Sequence, residues 1–195
     1  MARSILSLGM FIALAVYLTR EIGFSDVETG WITGLFSAFL YLAPTFTGAM
    51  ADKMGFRRAL MLAVLLLTAG YALLGAVQSK PTALFALLLI IIGGAFVKPI
   101  ISGTVAKASD ERNRARAFAI FYQVVNIGAF LGKTVAKPLR VDLGLASINL
   151  YAAVMAVCAF HVVLFFFRGI DSSGEGKTFR EVAQGLSRVV RNGRF

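Results

Sequence analysis

The chain has one cysteine, Cys158, and one histidine, His161, among its 195 residues. A lone thiol builds no disulfide framework, and together they supply no metal-ligand cluster. No pair of carboxylates lies within an apolar stretch, so the nucleophile–base, acid–base or metal constellation that a membrane enzyme needs is missing. No small-residue cleavage site follows the first apolar run, and a cleavable leader is not expected. Nothing in the sequence asks for a cofactor. Charged residues make up only 15%, whereas apolar residues reach 58% with 17 phenylalanines, and the mean hydropathy is +0.77. A soluble domain of this length could not hide so much apolar surface from water. The fold class expected is all-α, a polytopic bundle integral to a membrane.

Taking about 20 mostly apolar residues per crossing, the sequence reads as six spans: 2–19, 29–50, 58–78, 82–106, 115–139 and 147–168. The connections "REIGFSD", "DKMGFRR", "QSKP", "KASDERNR" and "RVDLGLA" carry breakers or charge. The fifth span contains Lys133 and Lys137, which allows an end several residues earlier. Residues 169–195 form a linker. Within it, "TFREVAQGLSRVVRNGRF" places Phe179, Val182, Leu186, Val189 and Val190 on one stripe among arginines, with Thr178 and Glu181 spaced as a capping box. That pattern predicts an amphipathic helix on the inner membrane surface.

The net charge of +10 would suggest nucleic acid in a soluble protein, but here it reports topology. With the N-terminus cytoplasmic, fourteen Lys and Arg fall on the inner side. They are Arg3; Lys53, Arg57 and Arg58; Lys107, Arg112, Arg114 and Arg116; and six from Arg168 to Arg194. Only Arg20, Lys80 and Arg140 fall outside. The asymmetry predicts both termini in the cytoplasm.

Three lysines remain within spans: Lys98, Lys133 and Lys137. Lys98 stands in "IIIGGAFVKPII", where a cation costs at least ~2.5 kcal/mol on insertion scales and marks a functional site by default. No Asp or Glu lies in the middle of any span, so these ammonium groups look to a solute carboxylate, cavity water or acids of another bundle. Lys137, near a helix end, fits snorkelling to the interface. Lys133 fits either snorkelling or a cavity wall. Pro99 frees a backbone carbonyl one turn back, tolerable where protein or water satisfies it. Gly93 and Gly94 fit close helix packing. His161 reads as an ordinary partnered or interfacial histidine, Trp31 as an interfacial anchor, and Glu21, Asp26 and Glu28 as solvated loop charges.

In "GAMADKMGFRR", Gly48, Asp52, Lys53, Gly55, Arg57 and Arg58 resemble the G-x-x-x-D-[RK]-x-G-[RK]-[RK] loop of the major facilitator superfamily. One offset exists: Phe56 holds the first of the two basic positions. The resemblance covers the whole chain but one half of a family member, the N-terminal six-helix bundle. It implies a second six-helix half, with solute bound between the halves and moved by alternating access. It also implies that the loop gates conformational change.

Two further segments, "GGAFVKP" and "FAIFYQVVNIGAF", are similar to the fourth and fifth helices of the proton-dependent oligopeptide transporters. That likeness implies Lys98 and Asn126 at the substrate, with Tyr122 one turn before Asn126; Lys133 joins the candidate substrate residues separately, on its reading as a cavity-wall lysine. That family's E-x-x-E-R-F motif is absent, the aligned positions holding Arg3, Ser4 and Ile5, which removes its route for proton coupling. Gly132, Lys133, Ala136 and Lys137 also depart from the G-P-x-x-G of drug/proton antiporters. The expected function is secondary transport of a small carboxylate-bearing or peptide-like solute across the cell (inner) membrane, with lipid, solute, protons and a second bundle as partners. The alternatives are a transporter of other solutes such as drugs or sugars, and a non-transporting truncated product or scaffold.

Overall fold

A computed structural model describes residues 13–167. The expectations for residues 2–12 and for the linker at 169–195 lie outside the described residues. Within them the chain is helical with short breaks: α1 (13–20), α2 (Asp26–Leu42), α3 (Pro44–Met54), α4 (Phe56–Ala76), α5 (Lys80–Lys107), α6 (Arg114–Leu143) and α7 (Leu145–Phe166). Helices α4 to α7 are each long and apolar enough to cross a bilayer, and α2 with α3 makes a fifth crossing if the bent pair is one span.

The expected unbroken second span, 29–50, is instead two helices bent by 47° about Ala43. Pro44 accounts for the break, because it has no N–H for the carbonyl of Leu40 and its fixed φ suits the first turn of a new helix. The expected loop "DKMGFRR" shrinks to Gly55 (φ 86°, ψ 133°), with helix on both sides. "RVDLGLA" is likewise helical except at Gly144 (φ 85°), so α6 continues to Leu143, past the expected 139. Both corners use backbone that glycine alone adopts without strain.

Asp26 and Glu28, expected as solvated loop charges, lie in the first turn of α2. The Glu28 N–H donates to Ser25 Oγ at 3.2 Å and the Ser25 N–H to Glu28 Oε2 at 2.8 Å, a reciprocal capping box. Lys80, at the start of α5, pairs with the same carboxylate at 3.3 Å and lies over the Phe24 ring.

Helix α4 is packed between α5 and α7. Its seam with α5 is built from small residues: Ala59, Ala63, Ala83 and Ala86 are fully buried. A Cβ on Gly93 would meet the Ala63 carbonyl oxygen at 2.7 Å, and one on Gly70 the Ala86 oxygen at 2.9 Å. Where the obstacle is backbone, the helices must part. Gly93→Val is therefore expected to cost about 1–3 kcal/mol of stability, seen as a lower unfolding temperature in detergent. Gly94→Ala should be milder, since its nearest neighbour is the movable Leu40 Cδ1 at 3.0 Å.

Helix α6 differs from the rest. None of its 30 residues is buried, and it touches only α5 and α7 among the described helices that contact it substantially.

Candidate functional site

The site grows from the proline in α5. Pro99 lies inside a helix that runs unbroken from Lys80 to Lys107. A proline there leaves the carbonyl four residues back without its donor and crowds it. That carbonyl belongs to Ala95, and the Thr47 hydroxyl of α3 donates to it at 2.7 Å. Gly48, the next residue, faces Pro99 at this contact, where a Cβ would stand an ordinary 3.4 Å from Pro99 Cβ. The protein partner that the sequence demanded for this carbonyl is thus present.

Beside this junction opens a cavity of about 690 Å³, walled by α2, α3, α4, α5 and α6. Its volume lies in the range of small-molecule sites. Lys98 lines it and is the one charged side chain in its wall among the described residues. The hydroxyl-bearing wall residues are Tyr41, Tyr71 and Ser102, and the remainder is apolar, including Phe36, Leu40, Pro44 and Pro99. Lys98 makes no ion pair with a described residue. Lys98 is exposed rather than buried, so its ammonium can meet an anionic group at an otherwise apolar wall.

Of the other expected substrate residues, none is in this wall. Helix α6 contributes Phe121 and Val125, one turn apart. Tyr122 and Asn126 each follow one residue later, about 100° around the helix, and both are exposed. Tyr122 is tied to its neighbours by ring contacts with Phe121 (5.1 Å) and Phe118 (6.4 Å). Lys133 and Lys137 are exposed on α6, away from the cavity. Sequence reading missed Ser102 and Thr47. The first was findable one turn after Lys98 on the same face, and the second only by asking which hydroxyl could serve the carbonyl freed by Pro99.

The residues of the glycine-rich signature gather at the far end of α5. Gly48, Asp52 and Lys53 belong to α3, Gly55 is the corner, and Arg57 and Arg58 open α4. Lys107, from the last turn of α5, lies 3.8 Å from Asp52 and 4.6 Å from the centroid of the Phe56 ring. Phe56, the residue that departs from the signature, is buried in the core and touches the space left by Gly103. Arg57 reaches across to α7, donating to the Leu164 carbonyl at 2.7 Å. That carbonyl is in the last turn, where helix acceptors lack internal donors. The corner thus binds α3, α4, α5 and α7 together.

His161 lies near the end of α7, its Nδ1 2.8 Å from the Val157 carbonyl oxygen and its ring stacked on Phe165. It is a locally partnered histidine that does not line the cavity.

The sequence matches the Major Facilitator Superfamily profile over residues 2–195. The chain belongs to that superfamily. It is accordingly an integral membrane protein of a transporter superfamily and not an enzyme. Among curated relatives, this superfamily member is 29% identical over 162 residues to dipeptide and tripeptide permease B of Salmonella typhimurium, covering 80% of this chain and 33% of the permease. It is 27% identical over 155 residues to permease B of Photorhabdus asymbiotica, covering 77% and 30%. The chain spans about a third of the length of the curated relatives it matches. Its fold is similar to that of a POT peptide transporter solved in complex with alafosfalin, with a TM-score of 0.75 at 22% identity, covering 96% of this chain and 41% of that one. A POT family transporter in complex with 5-aminolevulinic acid gives the same TM-score and identity, covering 95% and 42%.

Proposed function

We propose that the chain is one six-span half of a secondary transporter that moves a small carboxylate-bearing or peptide-like solute by alternating access against a second six-helix bundle. In this reading Lys98 binds the solute's anionic group, with Asn126, Tyr122 and Lys133 completing the site from α6 as the bundles rock. The observation that carries it is that Lys98 is the one charged side chain in the cavity wall among the described residues. The permeases and POT transporters to which the chain is similar support the solute class by their names. The corner around Gly55, with the Asp52–Lys107 pair, would brace the cytoplasmic end between conformations. Both termini are then cytoplasmic and the membrane is the cell (inner) membrane. Proton coupling follows from the likeness to peptide permeases, without the E-x-x-E-R-F route.

The test is uptake of a labelled dipeptide into proteoliposomes holding this chain alone or with a second six-span bundle, with and without a proton gradient. Uptake that needs the second bundle, and that falls when the dipeptide's carboxylate is amidated, is expected. Equal uptake of acid and amide refutes carboxylate recognition. No uptake of any offered peptide, sugar or drug in the paired preparation would favour a non-transporting scaffold.

A further inference from the structure

We propose that Thr47 is a positioning residue for Lys98, acting through the carbonyl that Pro99 leaves without a donor; this rests on the reading of Lys98 as the cavity's solute-binding cation. Pro44, Thr47 and Gly48 are spaced i, i+3, i+4 and share one side of α3. Ala95 and Pro99, one turn apart, share one side of α5. The bend of 47° at Ala43–Pro44 sets the direction of α3 and brings Gly48 against Pro99. At that contact the Thr47 hydroxyl donates not to its own helix but across to Ala95, 48 residues away.

A helix opened by proline has freedom to swing about the turn it has lost. Lys98 precedes the proline, and its residue is part of that turn. The bond from α3 supplies one directional constraint where the helix lacks its own, so the heading of Lys98 into the cavity depends on a hydroxyl in another helix. Any displacement of α3 relative to α5 is transmitted to the cation by the same bond.

The test uses the whole chain in membrane vesicles with Cys158→Ser, so that an introduced thiol is the sole one. Alkylation rates with a charged, water-soluble thiol reagent are measured for a Lys98→Cys reporter and, separately, a Tyr41→Cys reporter on the α2 wall of the same cavity. Adding Thr47→Val is expected to change the rate at Lys98→Cys by about fivefold or more, leaving Tyr41→Cys within about twofold. Thr47→Ser should restore the original rate. In a Pro99→Ala background, where the helix regains its own N–H for Ala95, Thr47→Val should have no effect. If Thr47→Val alone does not accumulate, Pro99→Ala should rescue its accumulation. An unaltered rate in Thr47→Val, parallel shifts at both reporters, no rescue by serine, or an undiminished effect in Pro99→Ala each overturns the proposal. A Lys98→Cys reporter that is unreactive with Thr47 intact instead sinks the cavity reading, and this inference with it.

Discussion

Replacing Lys98 with alanine is expected to raise the KM for a dipeptide about 10- to 100-fold, with a smaller change in kcat. A hydrogen bond to a charged group contributes about 1.5–3 kcal/mol when its partner is left behind, and tenfold in affinity corresponds to about 1.4 kcal/mol. Among the described residues no second cation lines the wall, and Lys133 reaches the solute only from α6 once the bundles have moved. The same substitution should leave a carboxyl-amidated dipeptide nearly unaffected, because that solute never used the charge. Lys98→Arg keeps the charge but replaces a compact ammonium on a flexible stem with a planar fork, so partial activity with an altered solute preference is expected. Asn126→Ala serves as the comparison on α6. It lowers uptake if the two bundles bring α6 to the solute, and leaves it unchanged if Phe121 and Val125 remain the only α6 residues at the cavity. Unchanged uptake in all three variants would end the binding role given to Lys98.

Different parts of this architecture were legible in the sequence to different degrees, for physical reasons. Long apolar runs bounded by charge gave α4, α5 and α7 to within about two residues, because a bilayer enforces length. The cost of a charge in hydrocarbon singles out Lys98 in the sequence, and the structure puts it in the cavity wall. The break at Ala43 was not. Pro44 can kink a helix or begin one, and hydropathy passes smoothly through both cases. The corners at Gly55 and Gly144 were read as loops because charge clusters there, yet the charges lie on helix ends and a single positive-φ glycine makes each turn. The heading of α6 was the least accessible. No residue of α6 is buried, so packing does not mark its inner face, and Tyr122 and Asn126 stand only about 100° around the helix from Phe121 and Val125.

The two glycines of the signature, Gly48 and Gly55, should respond oppositely to alanine. Gly55 joins α3 to α4 with φ at 86° and ψ at 133°, a conformation in which a Cβ collides with its own backbone, costing about 1–3 kcal/mol. Relaxing that strain would rotate α3 against α4, drawing Asp52 away from Lys107 and shifting Arg57 from the Leu164 carbonyl. Gly55→Ala is therefore expected to lose both its own turn and the contacts hinged on it, with a marked drop in unfolding temperature and in membrane accumulation. Gly48 is helical, and a Cβ there meets Pro99 Cβ at 3.4 Å, an ordinary contact. Alanine at this position gains up to about 1 kcal/mol of helix propensity, so Gly48→Ala should be neutral or stabilising by thermal unfolding of the purified chain. A signature that needed glycine at both positions for the same reason would show two similar losses. Here the backbone geometry assigns the need to Gly55, and a stable Gly55→Ala variant would show that the one-residue corner does not govern how α3 and α4 are held.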